Sequence, residues 1–535
     1  MRKSKAFALI IFLLFVWVAI LKNPTVKAEP KTIVVPDDFS DLVDAVGNAT
    51  EGDMIFVKKG TYSIESPDEN NTLLLSGIEI NKSLSIIGEK QENTIIVFPP
   101  DTRVGFPLLF STKQGFNIYA DNFRISNLTV INCDYGVNVH GNGAQVSNII
   151  TSGLALQGSF STVSKTILES QLRVIGSSQM VTQCTIKGTV DINGSQNNMV
   201  GNDVKLCYLK GSYNTISGNS FHTLFLEYAD SNLIHDNTLS CIWVGSDGHA
   251  CSNNTVSRNT FDGDYIWGIL MGAGSYNVFH DNLIWNYNEG NSGYGIAIGG
   301  YTLVAEYNTF YRNTLKNNNR NVGANWEILG AGNFWDNGVE GNYWDDYNGT
   351  DTNGDGIGDV SHIVEGCKRD ESTEMQVEFV YGQDNYPFIA PIKWFDAGIW
   401  EWINFNVIVS SNSSVISDFS FNPEDTLIRF KVWGGYGTIR FCRITVPKNL
   451  LHTEGDWIVL VDETSVPPTI DEDATNTYIY FTYNHNNTEI EIIGTNAIPE
   501  FPLWNPLLVT LVVVLAIALI YRSRLNKQNP GGRKQ

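Results

Sequence analysis

Aromatic and acidic side chains are concentrated in one stretch of the chain, between residues 243 and 327. Six aromatic residues there could stack on sugar rings: Trp243, Tyr265, Trp267, Trp285, Tyr287 and Trp326. Three carboxylates accompany them as candidates for general acid and base: Asp262, Asp264 and Glu289. Aromatic faces are large apolar surfaces, and glycoside hydrolysis uses a pair of carboxylates. The alternative is that the aromatic residues fill a protein core. The stretch therefore predicts a carbohydrate-binding face and leaves catalysis open.

A second group of acidic residues has the spacing of a calcium-binding loop. The oxygen ligands would come from Asp351, Asn353, Asp355, the Ile357 carbonyl and Asp359. They stand at positions 1, 3, 5, 7 and 9 of an EF-type loop, with a glycine at position 6. Position 12 is His362 instead of the usual glutamate, so Glu365 or Asp384 would have to complete the shell. The alternative is a solvated Asp/Gly turn, but we predict calcium because carboxylates this close together repel one another without a cation.

An asparagine phrase repeats between residues 197 and 315, and it determines the predicted fold. An Asn is followed two residues later by an apolar residue and five residues later by a second Asn. The copies are Asn197…Asn202, Asn214…Asn219, Asn232…Asn237, Asn254…Asn259, Asn277…Asn282 and Asn308…Asn313. Short alternating runs suit the strands of a solenoid, and Asn side chains stacked about 4.8 Å apart can hydrogen-bond along it. Asn also tolerates the left-handed backbone at corners. The pattern predicts a right-handed parallel β-helix.

A solenoid needs a cap over its first coil, and residues 29–80 are predicted to form one. Thr32–Pro36 is predicted to be a strand, and Ser40–Val46 a short amphipathic helix with Ser40 as its N-cap. Val35–Asp38, followed by Gly52-Asp53 and Gly60-Thr61-Tyr62, resembles the N-terminal cap of pectin-lyase-like β-helix proteins.

The Asn repeats also resemble those of the NosD-type β-helix family of periplasmic copper-binding proteins. The closing segments Gly341–Tyr347, Asp351–Asp359 and Asp384–Pro387 share this resemblance. It covers about residues 31 to 390 and implies the β-helix fold. The family's name implies copper.

The residues themselves give copper little support. Copper needs imidazole or sulfur ligands, and the eight His and six Met include no HxH, HxxxH or Met-rich cluster. His235 and His280 occupy matching places in the repeat, but about three intervening coils would keep them from sharing an ion. The seven cysteines lack zinc-type spacing, and Cys241 with Cys251 is a candidate disulfide. We therefore predict surface histidines and no copper.

After residue 391 the Asn phrase stops and longer alternating runs begin. Roughly seven antiparallel strands over residues 393–497 predict an immunoglobulin-like β-sandwich. The fold class is thus all-β: a parallel β-helix, then a sandwich, then one C-terminal membrane helix.

Both ends of the chain predict export and anchoring. Residues 1–28 have the basic start, apolar core and small-residue cleavage pattern of a signal peptide. Leu503–Tyr521 is apolar and long enough to cross a bilayer, and the basic tail after it is predicted to lie inside. Ile498–Pro502 resembles the Pro-Glu-Phe anchors of archaeal surface proteins. Nine Asn-x-Ser/Thr sequons, such as those at Asn48 and Asn412, agree with a glycosylated surface.

These features predict an extracellular, single-pass cell-surface protein. The predicted segments are 1–28 signal peptide, 29–80 cap, 81–345 β-helix, 346–392 calcium-loop-like segment and C-terminal cap, 393–497 sandwich, 498–502 linker, 503–521 membrane helix and 522–535 cytoplasmic tail. The net charge of −22 excludes nucleic acid as a partner. We predict a module that binds an extracellular glycan or a surface protein and is not an enzyme. The alternative is a polysaccharide lyase or glycoside hydrolase.

Overall fold

The computed structural model describes residues 29–64, 77–99, 113–246, 248–288, 293–299, 304–323, 332–369, 376–400, 403–484 and 488–498. The predicted signal peptide and membrane helix lie outside these residues. Within the described part of the chain, no helix has the length and apolar character needed to cross a membrane. The chain divides into two compact units, residues 1–233 and 234–535.

The first unit opens with the predicted cap. Its helix, α1, spans Leu42–Asn48 and buries Leu42, Ala45 and Val46. The prediction of Ser40 as N-cap was wrong: the Asp41 carboxylate caps the helix by accepting the Val43 N–H at 2.6 Å. Asp is as good an N-cap as Ser, because either side chain can accept a backbone N–H of the first turn.

Parallel strands follow in short coils throughout the first unit. They are β1 (Thr32–Val35), β2 (Met54–Val57), β3 (Gly60–Ser63), β4 (Ile78–Ile80), β5 (Ser85–Gly88), β6 (Thr94–Val97), β7 (Gln114–Ile118), β8 (Arg124–Ile131), β9 (Tyr135–Val139), β10 (Gln145–Leu156), β11 (Thr162–Ser164), β12 (Ile167–Val174), β13 (Met180–Thr182), β14 (Thr185–Asn193), β15 (Asn198–Val200), β16 (Asp203–Lys210), β17 (Thr215–Ser217) and β18 (Ser220–Leu226).

Each strand pairs in parallel with the equivalent strand of the next coil, so equivalent apolar residues stack inside. One such stack consists of Ile125, Val146, Val163, Val181, Met199 and Ile216. All six side chains are buried. The alternating pattern thus places one side of every strand in the core, which confirms the predicted parallel β-helix.

The second unit begins with the same architecture. The strands of its β-helix are β19 (Leu233–His235, which starts one residue before the unit), β20 (Thr238–Val244), β21 (Thr255–Ser257), β22 (Thr260–Asp262), β23 (Trp267–Met271), β24 (Gly274–Ser275), β25 (Val278–His280), β26 (Leu283–Trp285), β27 (Tyr294–Ile298), β28 (Ala305–Glu306), β29 (Thr309–Tyr311), β30 (Thr314–Lys316), β31 (Arg320–Gly323), β32 (Tyr343–Trp344), β33 (His362–Arg369) and β34 (Gln376–Asp384). The last two strands pair antiparallel.

The sandwich of the second unit has two five-stranded antiparallel sheets. Its strands are β35 (Ile392–Trp400), β36 (Ile403–Ser411), β37 (Val415–Asn422), β38 (Leu427–Trp433), β39 (Ile439–Pro447), β40 (Leu451–His452), β41 (Ile458–Val461), β42 (Thr464–Val466), β43 (Thr469–Glu472), β44 (Asn476–Asn484), β45 (Thr488–Ile493) and β46 (Asn496–Ala497). The sheet orders are β35-β36-β39-β44-β43 and β37-β38-β45-β41-β42, and β40 and β46 form a separate two-stranded sheet.

One apolar core joins these sheets; Val407 and Ile444 come from one, Phe430 and Ile490 from the other. The predicted sandwich is confirmed, but its detail was wrong. Short edge strands raise the strand number above seven, and the order differs from the immunoglobulin arrangement. Alternating runs determine which side of a strand is buried but not which strand lies beside it.

Buried asparagines connect the coils, as the repeat predicted. In the first unit Asn214 Oδ1 accepts the Asn197 N–H at 2.9 Å. In the second unit, Asn259 Oδ1 accepts the backbone and side-chain N–H groups of Asn237. Asn282 Oδ1 accepts the same two groups of Asn259. Each amide therefore satisfies backbone groups that the corner leaves without a strand partner.

The left-handed residues were predicted at the wrong places within the repeat. The ladder asparagines have ordinary backbone angles, and the residue just before each one has a positive φ. Examples are Gln196, Tyr213, Asp236, Arg258 and Tyr276, with φ from 53° at Arg258 to 60° at Gln196. The side chain of each ladder Asn is needed for hydrogen bonds between coils. The residue before it therefore takes the left-handed backbone conformation that the corner requires.

None of the seven cysteines, all of which lie in the described part of the chain, forms a disulfide, and all seven are buried. The candidate disulfide between Cys241 and Cys251 is therefore absent, and that prediction was wrong. Both thiols lie in the packed interior, where a cysteine behaves as a small apolar residue.

Candidate carbohydrate-binding face

Neighbouring strands of the second unit align a row of mostly apolar residues on one side of the sheet. The register joins Trp243 to Leu270, Leu270 to Ala297, Ala297 to Gly323 and Gly323 to Cys367. Ile269 and Ile296 precede two of these residues, and successive side chains of a strand point to opposite sides. The row is therefore on the side of the sheet away from those two isoleucines.

Three of the predicted aromatic residues come together along this row. The Trp243 and Trp267 rings lie 6.4 Å apart at 70°, and the Tyr265 and Trp267 rings 5.9 Å apart at 65°. Both tryptophans pack against the cluster of Leu270, Tyr294, Ala297 and Cys367. All three rings are partly exposed. We call Trp243, Tyr265, Trp267, Tyr294 and Cys367, with the residues of the row between them, the aromatic face.

Tyr294 was not predicted as part of the aromatic face. A Cβ on Gly323 would lie 2.4 Å from the Tyr294 ring, so the ring covers that glycine directly. The Tyr294 hydroxyl lies 3.2 Å from the Cys367 Sγ. Burial, together with the neighbouring thiol, raises the pKa of Tyr294. The available sequence signal was its position between Gly293 and Gly295.

Two of the predicted aromatic residues belong elsewhere. Tyr287 is fully buried, and its hydroxyl donates to the Ser240 carbonyl at 2.6 Å. Its prediction as a stacking residue was wrong, because its turn directs the ring into the core. Trp285 lies on β26, a different strand column, with the Lys316 Nζ 5.4 Å from its ring centre.

The predicted carboxylates flank the aromatic face only in part. Asp262 and Asp264 are both exposed, on either side of a sharp turn in which the Asp264 N–H donates to the Asp262 carbonyl at 2.7 Å. The side chain of Asp262 accepts from Asn286 at 3.3 Å. Asp262 is in register with Trp285 and not with Trp267. Glu289 and Trp326 lie outside the described residues.

The calcium-loop residues hydrogen-bond chiefly within their own loop. The Asp351 carboxylate accepts the N–H groups of Gly354, Asp355 and Gly356 at 2.8 to 3.1 Å. Asp359 accepts the N–H and hydroxyl of Thr352. Across the described residues, no three His, Cys, Asp or Glu side chains come together in a way that could hold a metal.

Asp384, a candidate for completing that shell, has other partners. Its carboxylate accepts the Asn342 N–H at 2.6 Å, the Trp344 indole N–H at 2.8 Å and the Tyr386 N–H at 3.0 Å. Burial raises its pKa to about 7 against these hydrogen bonds, which lower it. Asp384 therefore holds the closing coils together. His362, at position 12 of the loop, stacks on Trp344 with 4.8 Å between ring centres.

Two of the histidines and one of the thiols illustrate why the described residues do not fit a copper centre. Nδ1 of His235 contacts the Asp236 carboxylate, and Nδ1 of His280 contacts the Asp281 carboxylate at 2.6 Å. Only β21 lies between their two strands, so the expected three intervening coils were an overestimate. Burial raises the pKa of the Cys133 thiol to about 12, which opposes the thiolate form that binds metals.

The coils and their stacked amides define a protein of the parallel β-helix class. Residues 164–349 match the family model described as periplasmic copper-binding protein (NosD). This match confirms, over those residues, the resemblance carried by the asparagine repeat. No curated protein gives a match.

Solved structures with detectable similarity include three carbohydrate-related proteins. A mutant tailspike protein of E. coli bacteriophage HK620 in complex with a pentasaccharide is 12% identical, with 84% of this chain and 87% of that chain covered and a TM-score of 0.42. The catalytic domain of a GH87 alpha-1,3-glucanase in complex with nigerose is 14% identical, with 58% and 67% covered and a TM-score of 0.36. The A-module of the Azotobacter vinelandii mannuronan C-5 epimerase AlgE6 is 12% identical, with 55% and 92% covered and a TM-score of 0.31. At these scores the function has to be inferred from the chain's own residues.

Proposed function

We propose that this chain is an exported, membrane-anchored cell-surface protein that binds an extracellular glycan on its aromatic face. The observation that carries the proposal is the group of three partly exposed rings, Trp243, Tyr265 and Trp267, on an apolar base. Partly exposed aromatic rings held rigidly by a sheet offer flat apolar surfaces at a small cost in conformational entropy.

The charge of the chain supports a neutral glycan. The whole chain carries −22, and Asp262 and Asp264, both exposed, shortly precede Tyr265 of the aromatic face in the chain. A polyuronate would be repelled by this field, whereas the hydroxyl groups of a neutral sugar can donate to the two carboxylates.

Binding is tested on a glycan array with the full chain in mild detergent. We expect neutral oligosaccharides to bind, and Trp267→Ala to weaken binding at least about tenfold, which corresponds to about 1.4 kcal/mol. Trp433→Ala is the matched control, because Trp433 is 58% exposed on the sandwich. Unchanged glycan binding by Trp267→Ala would contradict the proposal, as would a parent chain that captures only a surface protein.

Catalysis is the second candidate, supported by the two exposed carboxylates of Asp262 and Asp264, which shortly precede Tyr265 in the chain. Release of new reducing ends or unsaturated products from the bound glycans would identify a glycoside hydrolase or a lyase. Asp264→Asn and Glu289→Gln should then lose turnover and keep binding. Glycan binding without product release by the parent chain is the result that we expect.

We also propose calcium for the loop of Asp351, Asn353, Asp355, Ile357 and Asp359. Its supply of carboxylate and carbonyl oxygens supports the proposal, and the hydrogen bonds of Asp359 to Thr352 oppose it. Isothermal titration with CaCl₂ should give a binding signal that Asp355→Asn removes and Asp418→Asn, an exposed acid in the sandwich, keeps. No calcium-binding signal from the parent chain would contradict the proposed calcium site, and the turn would then be held by hydrogen bonds alone.

Membrane anchoring is tested by removing residues 499–535 from the expressed chain. We expect the full chain to sediment with membranes and the shortened chain to be released into the medium. Retention of the shortened chain on membranes would contradict an anchor in those residues.

A further inference from the structure

The first unit has a polar cleft whose lining shares no residue with the aromatic face. The cleft has a volume of about 240 Å³ and is lined by Tyr135, Gln171, Leu172, Arg173, Thr189 and Asp191. Drug-sized ligand pockets have roughly 300–1,000 Å³. The cleft is therefore large enough for one small ring and not for a bulky cofactor.

The sheet register places opposite charges on neighbouring strands in this cleft. Arg173 on β12 is aligned with Asp191 on β14, and Ala155 on β10 is aligned with Arg173 on its other side. Because Ala155 is short, the guanidinium has space beside it. Gly153 likewise leaves space in the neighbouring row of residues, because a Cβ at this position would lie 3.3 Å from the Tyr135 ring.

One carboxylate oxygen in the cleft has no donor. Oδ1 of Asp191 is buried, and no described residue hydrogen-bonds to it. The Lys210 Nζ is 3.9 Å away, which is too long for a hydrogen bond. An acceptor that is shielded from solvent and has no donor carries a cost in free energy. A ligand that brings a hydroxyl donor to this oxygen would remove that cost.

An aromatic pair continues the cleft on the next strands. Asp191 is in register with Tyr208 on β16, which is aligned with Phe225 on β18. The two rings stack with 4.9 Å between centres and are both partly exposed. Neighbouring strands are about 4.8 Å apart. A ligand on Arg173 and Asp191 would therefore reach the Tyr208 ring with its next unit.

We infer that this cleft binds one unit of a neutral, hydroxyl-rich sugar chain. One hydroxyl donates to Asp191 Oδ1, and an adjacent sugar oxygen accepts from the Arg173 guanidinium. The Gln171 amide and the Thr189 hydroxyl complete the polar contacts, and the apolar side of the following unit packs on Tyr208. Arg173 is balanced by Asp191 in register beside it, and Lys210 by Glu227 at 3.5 Å, so the cleft has no net charge and favours a neutral sugar over a carboxylated or a cationic one.

The test measures binding of full-chain variants to neutral gluco-, manno- and galacto-oligosaccharides and to oligouronates. Asp191→Asn and Arg173→Met should each weaken binding of the neutral sugars at least about tenfold. Asp203→Asn is the matched control, since Asp203 is an exposed acid on β16 outside the cleft. Thermal unfolding verifies that each variant is folded. If only one of the two cleft variants folds, that variant alone is enough for the test.

The outcomes separate this site from the aromatic face. If the cleft variants bind as the parent does while Trp267→Ala loses binding, the cleft assignment is overturned and the proposed function stands. If the cleft variants lose binding while Trp267→Ala keeps it, the cleft assignment holds and the proposed face fails. Binding restricted to oligouronates, or no sugar binding by the parent, overturns the cleft assignment.

Discussion

At the scale of single residues, burial decides whether a polar side chain is structural or available to a ligand. Tyr287 and Trp267 both come from the same aromatic stretch of the sequence. Tyr287 is fully buried and hydrogen-bonded to Ser240, whereas Trp267 is partly exposed. Only the second can contact a sugar without unfolding the coil.

We expect Tyr287→Phe to lower the free energy of unfolding by about 1–2 kcal/mol. The change leaves the buried Ser240 carbonyl without its hydroxyl donor. Denaturant unfolding would measure this loss, while glycan binding should stay at the parent level. Weakened glycan binding with unchanged stability would contradict this prediction and would show that Tyr287 contributes to glycan binding.

Asp384 should make the stability of the parent chain depend on pH. Burial raises its pKa to about 7, compared with about 3.9 for an unfolded Asp. The folded state therefore holds the proton more tightly. The stability from this carboxyl is complete below about pH 4 and is lost as the pH rises through 7, by up to about 4 kcal/mol.

Asp384→Asn tests this pH dependence. The amide stays neutral, so the variant should be less stable than the parent at pH 5 but lose less between pH 5 and 8. Its lower starting stability follows because one amide N–H would face an N–H donor of Asn342, Trp344 or Tyr386. Parallel curves for the two proteins in thermal unfolding would show that Asp384 does not titrate in this range.

At the scale of elements, side-chain ladders along the corners hold the coils in register. Asn259 receives two N–H groups from Asn237 and donates to the Ile234 and Ser257 carbonyls and to Asn282. No apolar residue can replace these contacts in a buried corner.

We expect Asn259→Ala to cost at least about 2 kcal/mol of unfolding free energy, because several buried backbone groups lose their partners. Asn198→Ala is the control, since Asn198 is a strand residue outside the ladder. Denaturant unfolding of both variants measures the difference. Equal losses would mean that the ladder does not stabilise the coils beyond ordinary packing.

A second corner column alternates acidic and basic residues and connects the coils to the sandwich. Arg312 donates to Asp281 at 2.8 Å and lies 3.5 Å from Glu340. Glu340 is buried and accepts from Arg443 and Thr445 of β39 at 3.1 Å. Burial alone would raise the pKa of Asp281, but Arg312 and His280 lower it to about 2.

Removing the charge of Glu340 should separate the sandwich from the coils. Glu340→Gln leaves Arg312 and Arg443 short of a buried counter-charge, and breaking such a pair typically costs about 3–5 kcal/mol. We expect a lower melting temperature and earlier proteolysis near residue 392. Arg443→Met in the same chain should recover part of the loss, and a double variant worse than Glu340→Gln would contradict this coupling.

At the scale of the whole molecule, we expect the negative charge to select among ligands. The chain carries −22, and repulsion between like charges is screened as salt rises from about 0.01 M to about 1 M. Neutral oligosaccharides should therefore bind with nearly the same affinity across this range. Oligouronate binding should be weak at low salt and increase with salt. Stronger uronate binding at low salt would show a local basic site that outweighs the net charge.

The coils of the β-helix and their Asn ladder could be predicted from the sequence, because a solenoid repeats one local pattern. Alternating residues determine which side of each strand is buried, and recurring Asn side chains need partners one coil away. Both requirements act over short distances, so they were readable as spacing. The sandwich strand order was not, because it depends on contacts between strands far apart in the chain.

The same distinction separates the two proposed binding sites. Spacing in the sequence identified Trp243, Tyr265 and Trp267 as candidates but also included Tyr287, because the direction of a ring depends on the turn that carries it. The cleft at Arg173 and Asp191 had no motif at all. These residues are 18 positions apart and become neighbours only because β12 and β14 pair in register. The sequence by itself determined the coil and its amide ladder, and the tertiary stacking of coils decided which side chains share a surface.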